Sequence, residues 1–430
     1  MRSQLAPVRT PSVGELESIS ALDAASEPRH RWYFFKEAFS PSVVERAITD
    51  AGAREVRVFD PFCGSGTVPL TAHRHGLESA GMEVNPFLAF VARTKLQYCS
   101  VRTFEREATL VARAISVEKT SSLEGFSTFT ELPTLEKWLF NTPVLRTFES
   151  GWDAVAGTST PARMILRLCL IGAAMDCCNA VKDGKCLRYR SDWTKLEFGV
   201  DDFREALERR IDVIRDDLSE WAGNKCTPTI RQGDSRHRPP FTNFDLCVTS
   251  PPYLNSFDYT DIYRPELFLG RFITDMVSLR ALRHQTVRSH LQAAWKAPQE
   301  SEFGGHYSDV MRDLTGAAEN LWNRKIPRMV QAYFEDMRGV LRNLRQSANQ
   351  NSSVWIVVST SSYVGIEIPV DLIIADIAST TGWFLREVSV LRYLDRLSSQ
   401  QWAELSERKE HGPHLRESVV ILDARPRQRV

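Results

Sequence analysis

Two short stretches of this 430-residue chain combine residue types and spacing that could do chemistry. The first is Asp60-Pro61-Phe62-Cys63-Gly64-Ser65-Gly66-Thr67, directly behind the β-rich run Val56, Val58, Phe59. Glycines at 64 and 66 allow positive φ and let backbone approach a ligand at the carboxyl end of a strand. It is not a phosphate-binding P-loop, because no Lys-Ser/Thr pair follows. Glu83 ends the next strand-like run, near the spacing of about 20 residues at which an acidic side chain accepts hydrogen bonds from ribose hydroxyls. The second stretch is Thr249-Ser250-Pro251-Pro252-Tyr253, behind the apolar residues 246–248. Its prolines stop the strand and fix the backbone, so that carbonyls point outward and the tyrosine ring stands at the top of a sheet. Alone, each stretch has an ordinary reading: a packing turn, a solvated strand-end carboxylate, a rigid strand exit.

Together, DPFCGSGT and TSPPY resemble the S-adenosylmethionine (SAM)-dependent amino-methyltransferases of DNA, which make N4-methylcytosine or N6-methyladenine. The resemblance implies that Asp60, Pro61, Phe62, Gly64, Gly66 and Thr67 cradle SAM, and that Ser250, Pro251, Pro252 and Tyr253 hold a flipped base. It assigns Glu83 to the ribose and Asp234, in QGDSR, to the adenine amine of SAM. It assigns Phe39 and Ser40, in FSP, to the methionine end. The resemblance covers about residues 30–95, 228–262 and 350–423 and is absent from the two stretches between. Ser at the head of SPPY leans towards cytosine N4 over adenine N6. A transfer-RNA guanine-N2 enzyme is a further reading, although only about 30 residues precede the first helix. The last is a SAM- or nucleic-acid-binding module without turnover, against which the intact motifs speak. DNA is the implied partner, with a companion restriction endonuclease or defence-system component.

The chemistry agrees with the resemblance. An exocyclic base amine is a poor nucleophile because its lone pair is delocalised into the ring. Ser250 Oγ and the Pro251 carbonyl, accepting its two N–H bonds, would draw the nitrogen towards sp³ geometry for in-line attack on the methyl group. Tyr253 would stack on the extruded base, worth roughly 1–3 kcal/mol. Methylation at cytosine C5 needs a cysteine nucleophile, usually as Pro-Cys, and the chain has no such dipeptide. Cys63 reads as a small buried side chain.

Strand, glycine loop, helix and strand in that order are the first half of a doubly wound sheet. The expected fold is thus α/β, a Rossmann-like methyltransferase sheet, mostly parallel, with a closing antiparallel pair (WFLREVSVLRYL and ESVVILDA) and helical insertions. Ser40-Pro41 reads as N-cap and N1 of a helix over 43–48. The expected divisions are a flexible arm at 1–28 and a SAM-binding half at 29–99. A helical insertion at 100–227 and the base-motif segment at 228–263 follow. A second insertion at 264–325 and the C-terminal half of the sheet at 326–430 complete the chain. Apolar positions Phe203, Leu207, Ile211, Ile214, Leu218 and Trp221 step by three and four, predicting a helix with Asp201 or Asp202 as N-cap. A second, more buried helix is expected through ARMILRLCLIGAAMDCCNAV, carrying Cys177 and Cys178. Val330, Tyr333, Phe334, Met337, Leu341 and Leu344 mark another.

Charge is balanced, 54 Lys plus Arg against 54 Asp plus Glu, so a nucleic acid must be met by a local basic surface. The candidates are Arg280, Arg283, His284, Arg288 and His290 in the second insertion, and Lys182, Lys185, Arg188 and Arg190 in the first. Either cluster is equally read as a solvated face. Asp258 and Tyr259 are candidates for the base pocket; Phe257 reads as packing. Eight cysteines without a C-x-x-C pair or zinc spacing point to free thiols in a reducing cytosol and to no metal. With no apolar leader and no run long enough to span a bilayer, the expectation is a cytoplasmic protein.

Overall fold

Val58 and Phe59 point to opposite faces of one strand and both are fully buried, so that strand must be covered on both sides. The computed structural model describes residues 8–9, 24–52, 55–115, 117–183, 186–220, 228–237, 243–394 and 415–426. The strands are β1 (Val8–Arg9), β2 (Val58–Asp60), β3 (Ser79–Glu83), β4 (Ala180–Lys182), β5 (Leu187–Tyr189), β6 (Thr229–Gln232), β7 (Phe244–Thr249), β8 (Ala348–Ser359), β9 (Ser361–Tyr363), β10 (Ile366–Ile368), β11 (Phe384–Tyr393) and β12 (Arg416–Asp423). Eight of them form one sheet in the order β1-β11-β12-β8-β7-β2-β3-β6. Only β12 runs against the rest, pairing antiparallel with β8 and β11. The fold is thus the mostly parallel α/β sheet with a closing antiparallel pair that the sequence pattern predicts. The pairs β9–β10 and β4–β5 are separate antiparallel hairpins.

Alternation builds two apolar layers. Val58, Leu246, Val248, Trp355 and Val357 face α1 (Pro41–Ala51) and α2 (Thr67–Arg74). Phe59, Cys247, Val354, Ile356 and Val358 face α12 (Ile326–Ser347) and α13 (Val370–Thr380), with α11 (Gly305–Gly316) packed outside. α12 carries Val330, Tyr333, Phe334, Met337, Leu341 and Leu344 on its buried face, as its spacing predicts. A third apolar cluster joins α3 (Pro86–Lys95) to the helices of the first insertion, α4 (Val101–Ala114), α5 (Thr142–Val155), α6 (Thr160–Asp176) and α7 (Val200–Glu220). The short helices α8 (Tyr259–Ile262), α9 (Arg264–Leu269) and α10 (Met276–Arg283) follow β7.

Three local expectations are corrected. α7 begins at Val200, so Asp201 and Asp202 lie inside its first turn; Asp202 caps from within by accepting the Gly199 N–H. α6 ends at Asp176, so Cys177 and Cys178 lie just past it, where the chain turns into β4. Of the expected arm, Val8–Arg9 lies as a short parallel strand against Val388 and Ser389; residues 1–7 and 10–23 fall outside the described residues. So do Lys185, Trp221 and residues 395–414.

The insertion is tied to the segment before α1 through Asp217, which is fully buried on α7. Its carboxylate accepts the backbone N–H of Arg29 at 2.6 Å, Trp32 Nε1 at 2.7 Å and Arg31 Nε at 2.9 Å. Alanine at 217 would strand buried donors and leave guanidinium groups without their counter-charge. Asp217→Ala is therefore expected to lower unfolding free energy by about 3–5 kcal/mol, read as the midpoint shift in urea. A loss below about 1 kcal/mol would show that solvent satisfies these donors instead.

Candidate functional site

Strand order reverses at β2. The chain moves outward through β3 and β6, then returns to place β7 on the other side of β2. In open α/β sheets the crevice above such a reversal, at the carboxyl ends of the strands, is where ligands bind. The two sequence motifs are the loops that leave β2 and β7 at this crevice.

Asp60, buried at the end of β2, joins them. Its Oδ1 accepts the Thr249 hydroxyl at 2.7 Å and the Phe62 N–H at 2.9 Å. Gly66 donates its N–H to the Cys63 carbonyl at 2.7 Å, closing the turn, and the Pro61 carbonyl accepts the Ser235 hydroxyl. Gly64 (φ 50°) and Gly66 (φ 93°) need glycine for space as well as for backbone angle. A Cβ at 64 would come within 2.9 Å of the Phe35 ring, and one at 66 within 3.0 Å of Ala92 Cβ. Thr67, buried, opens α2. Glu83 ends β3 with Oε2 accepting Gly64 N–H at 2.9 Å and Oε1 accepting Asn85 N–H at 2.8 Å. Burial pushes the Cys63 thiol up, which keeps it protonated and unreactive.

On the β7 side, the Tyr253 hydroxyl donates to Glu417 Oε1 at 2.6 Å, and Ser250 Oγ lies 3.5 Å from the same hydroxyl. Glu417 comes from β12, and its Oε2 accepts Arg392 Nε of β11 at 2.8 Å. Burial, then the facing Glu417 charge, pushes the Tyr253 phenol up, so it stays a donor. The ring is thus held by its far end, from strands more than a hundred residues downstream.

Between the loops lies a cavity enclosing about 1110 Å³ of space free of protein atoms, its open mouth included. Phe62, Gly64, Glu83 and Asp234 line one side; Ser250, Pro251, Pro252, Tyr253 and Tyr259 line the other. Residues that the motifs do not reveal complete it. Phe35 and Glu37 come from the segment before α1, and Gln285, Thr286, Ser289 and His290 from the second insertion. Three carboxylates, Glu37, Glu83 and Asp234, therefore face a largely apolar space. Glu37 accepts the Tyr263 hydroxyl at 2.5 Å and has no ion pair among the described residues. Acceptors for a diol and an amine together with an unneutralised carboxylate fit a nucleoside ligand bearing a cationic end.

Other sequence candidates are placed differently. Phe39 packs in the core beneath α1, and Ser40 is the N-cap of that helix; neither lines the cavity. Asp234 lines it while held by Arg236, whose Nη2 lies 2.7 Å away. Arg283 meets the buried carboxylate of Asp258 at 2.6 Å. Arg288 is buried between Asp336, 2.6 Å away, and Glu335, 2.5 Å away. Both arginines are thereby committed inside the fold instead of to a phosphate surface. Asp258 also caps α8, bonding the Thr260 N–H at 3.0 Å, so it serves the loop, not a ligand edge. Arg188 is exposed on the β4–β5 hairpin beside Asp183. Arg190 donates inward to the Cys178 carbonyl. Among the described residues no cluster of three or more His, Cys, Asp or Glu is arranged to hold a metal ion. None of their helices is long and apolar enough to cross a membrane.

Burial raises Asp60 from 3.8 and Glu83 from 4.5 to about 7 each, against the hydrogen bonds that favour their charged forms. The surrounding protein therefore favours them neutral. The stability they contribute is whole below about pH 4 and is lost as pH rises through about 7. A ligand whose hydroxyls donate to Glu83 favours the charged form, so the opposite trend holds for binding. Thermal melts between about pH 5 and about pH 8 are expected to show the unliganded Tm falling while the ligand-induced increase in Tm grows. A ligand increment that is flat over that interval would separate binding from the ionisation of Glu83.

No protein-family model matches the chain. It is 27% identical over 406 residues to the type II methyltransferase M.AvaI of Nostoc sp., covering 87% of this chain and 83% of that one. It is 26% identical over 447 residues to the type II methyltransferase M.BsoBI of Geobacillus stearothermophilus, covering 92% and 85%. Among solved structures, the rRNA methyltransferase aviRa of Streptomyces viridochromogenes aligns at a TM-score of 0.31 and 12% identity, over 95% of this chain and 94% of that one.

Proposed function

We propose that this chain is a SAM-dependent methyltransferase acting on the exocyclic amine of a base in DNA, with cytosine N4 as the target. The observation that carries the reading is the cavity at the sheet's reversal point, shared by the glycine loop and SPPY and clasped by the Asp60–Thr249 hydrogen bond. The type II methyltransferase relatives, matched over most of the chain, support transfer to DNA. Ser at 250 supports cytosine.

SAM, when bound, supplies an electrophilic methyl group. Backbone around Gly64 and the carboxylate of Glu83 hold its nucleoside, Asp234 its adenine amine, and Glu37 its ammonium end. Tyr253, anchored by Glu417, presents a ring face on which the extruded base stacks. Ser250 Oγ and the Pro251 carbonyl accept the two amine N–H bonds and turn the nitrogen lone pair towards the glycine-loop half of the cavity. The catalytic contribution is positioning and stabilisation of developing charge, with no covalent intermediate on the protein.

The test is to incubate the purified chain with radiolabelled SAM and separate pools of DNA and RNA, then identify the modified nucleoside by mass spectrometry. N4-methylcytosine in DNA is the expected product. N6-methyladenine would reassign the base, label confined to RNA would overturn the DNA substrate, and bound SAM without transfer would mark a silent module.

A further inference from the structure

On the hairpin formed by β4 and β5, Lys182 turns inward. Lys182 Nζ enters a buried pocket, donates to the Tyr33 hydroxyl at 2.6 Å and pairs with the fully buried Glu266. Tyr33 donates to the same Glu266 oxygen at 2.8 Å. The ammonium stands 3.9 Å from the centroid of the Tyr263 ring, close enough for a cation–π attraction in a site shielded from water. The Tyr263 hydroxyl in turn donates to Glu37 Oε2 at 2.5 Å, and Glu37 lines the cavity beside Phe35. An unbroken set of contacts thus runs from the insertion to Glu37, a cavity carboxylate that has no ion pair among the described residues. A cation over the face of a phenol also draws electron density from its hydroxyl and makes it a better donor.

We propose that Lys182 is a positioning residue of the cofactor site. By clamping Tyr263 it fixes Glu37 in the place where that carboxylate grips the α-ammonium of SAM, an inference that rests on the cavity being a SAM site. The insertion is then part of the cofactor site, in addition to whatever target contacts it makes. Burial and the facing Glu37 carboxylate raise the Tyr263 phenol, so it is a standing donor to that carboxylate. Glu37 keeps its second oxygen for the ligand.

The experiment compares two probes by calorimetric titration: S-adenosylhomocysteine, which has the α-ammonium, and 5′-methylthioadenosine, which lacks the amino-acid end. Lys182→Met is expected to weaken S-adenosylhomocysteine about tenfold and methylthioadenosine less than about twofold. Lys182→Arg should restore most of the difference. Tyr263→Phe, which keeps the ring and removes the donor to Glu37, should produce the same selective loss. Because Lys182→Met leaves Glu266 buried and unpaired, Lys182→Met/Glu266→Gln serves as the variant free of that charge. Equal weakening of both probes would make Lys182 merely structural, and unchanged affinity for both would remove it from the site. If the unaltered chain binds neither probe, the SAM reading itself fails, and this inference with it.

Discussion

Tyr253→Ala is expected to reduce methyl transfer by two to three orders of magnitude while leaving S-adenosylhomocysteine affinity within about twofold. Stacking on an extruded base is worth roughly 1–3 kcal/mol, or about 5- to 150-fold in binding, and loss of the amine's alignment adds to it. The geometry allows the two parts to be separated. Tyr253→Phe keeps the ring and loses the 2.6 Å bond to Glu417 together with the longer, 3.5 Å one from Ser250, so a fall of about tenfold is expected, most of it reproduced by Glu417→Gln. Ser250→Ala leaves the ring in place and removes one amine acceptor, for about a hundredfold loss in kcat. Single-turnover rates on a DNA substrate and calorimetric titration of S-adenosylhomocysteine provide the two readouts. If Tyr253→Ala weakened the cofactor as strongly as it slowed transfer, the ring would belong to the cofactor half of the cavity.

Glu83→Ala is the complementary case. Its carboxylate accepts the Gly64 and Asn85 N–H groups, so it holds the glycine loop against α3 as well as facing the cavity. Hydrogen bonds to a charged group contribute about 1.5–3 kcal/mol each, and the loop would also lose its shape. A fall in S-adenosylhomocysteine affinity of at least about a hundredfold is expected, with the far-ultraviolet circular dichroism unchanged. Affinity retained within about threefold would mean that the loop is held by its own turn, without Glu83.

The motifs were legible because their chemistry is local. A proline and two glycines in Asp60–Thr67, and two prolines and a tyrosine in Thr249–Tyr253, dictate a loop wherever each strand leads. The apolar runs at 246–248 and 354–358 likewise read as strands from side-chain type alone. What escaped the sequence lies across the fold. Glu417 is 164 positions from Tyr253, and nothing in RESVVILD distinguishes that glutamate from a solvated edge residue. Phe35 and Glu37 sit in an aromatic run, RHRWYFFKEAF, whereas the family resemblance points to Phe39 and Ser40. Those two are taken by the core and by helix capping, the usual uses of a phenylalanine and of a serine before Pro41. Arg283 and Arg288 show how charge can be counted without its direction. Their partners Asp258 and Asp336 come from other elements, and only packing turns the guanidinium groups inward.

The antiparallel strand β12 has a consequence for the order in which the molecule is made. It follows every other strand among the described residues, yet it lies between β8 and β11 in the interior of the sheet. Until it emerges from the ribosome, β11 cannot join the sheet through its native neighbour, and Tyr253 has no Glu417 to hold it. The three cavity carboxylates and the SPPY loop are synthesised long before that moment. A nascent chain could thus close its glycine loop without being able to align a base, and competence to modify DNA would arrive only with the last strand.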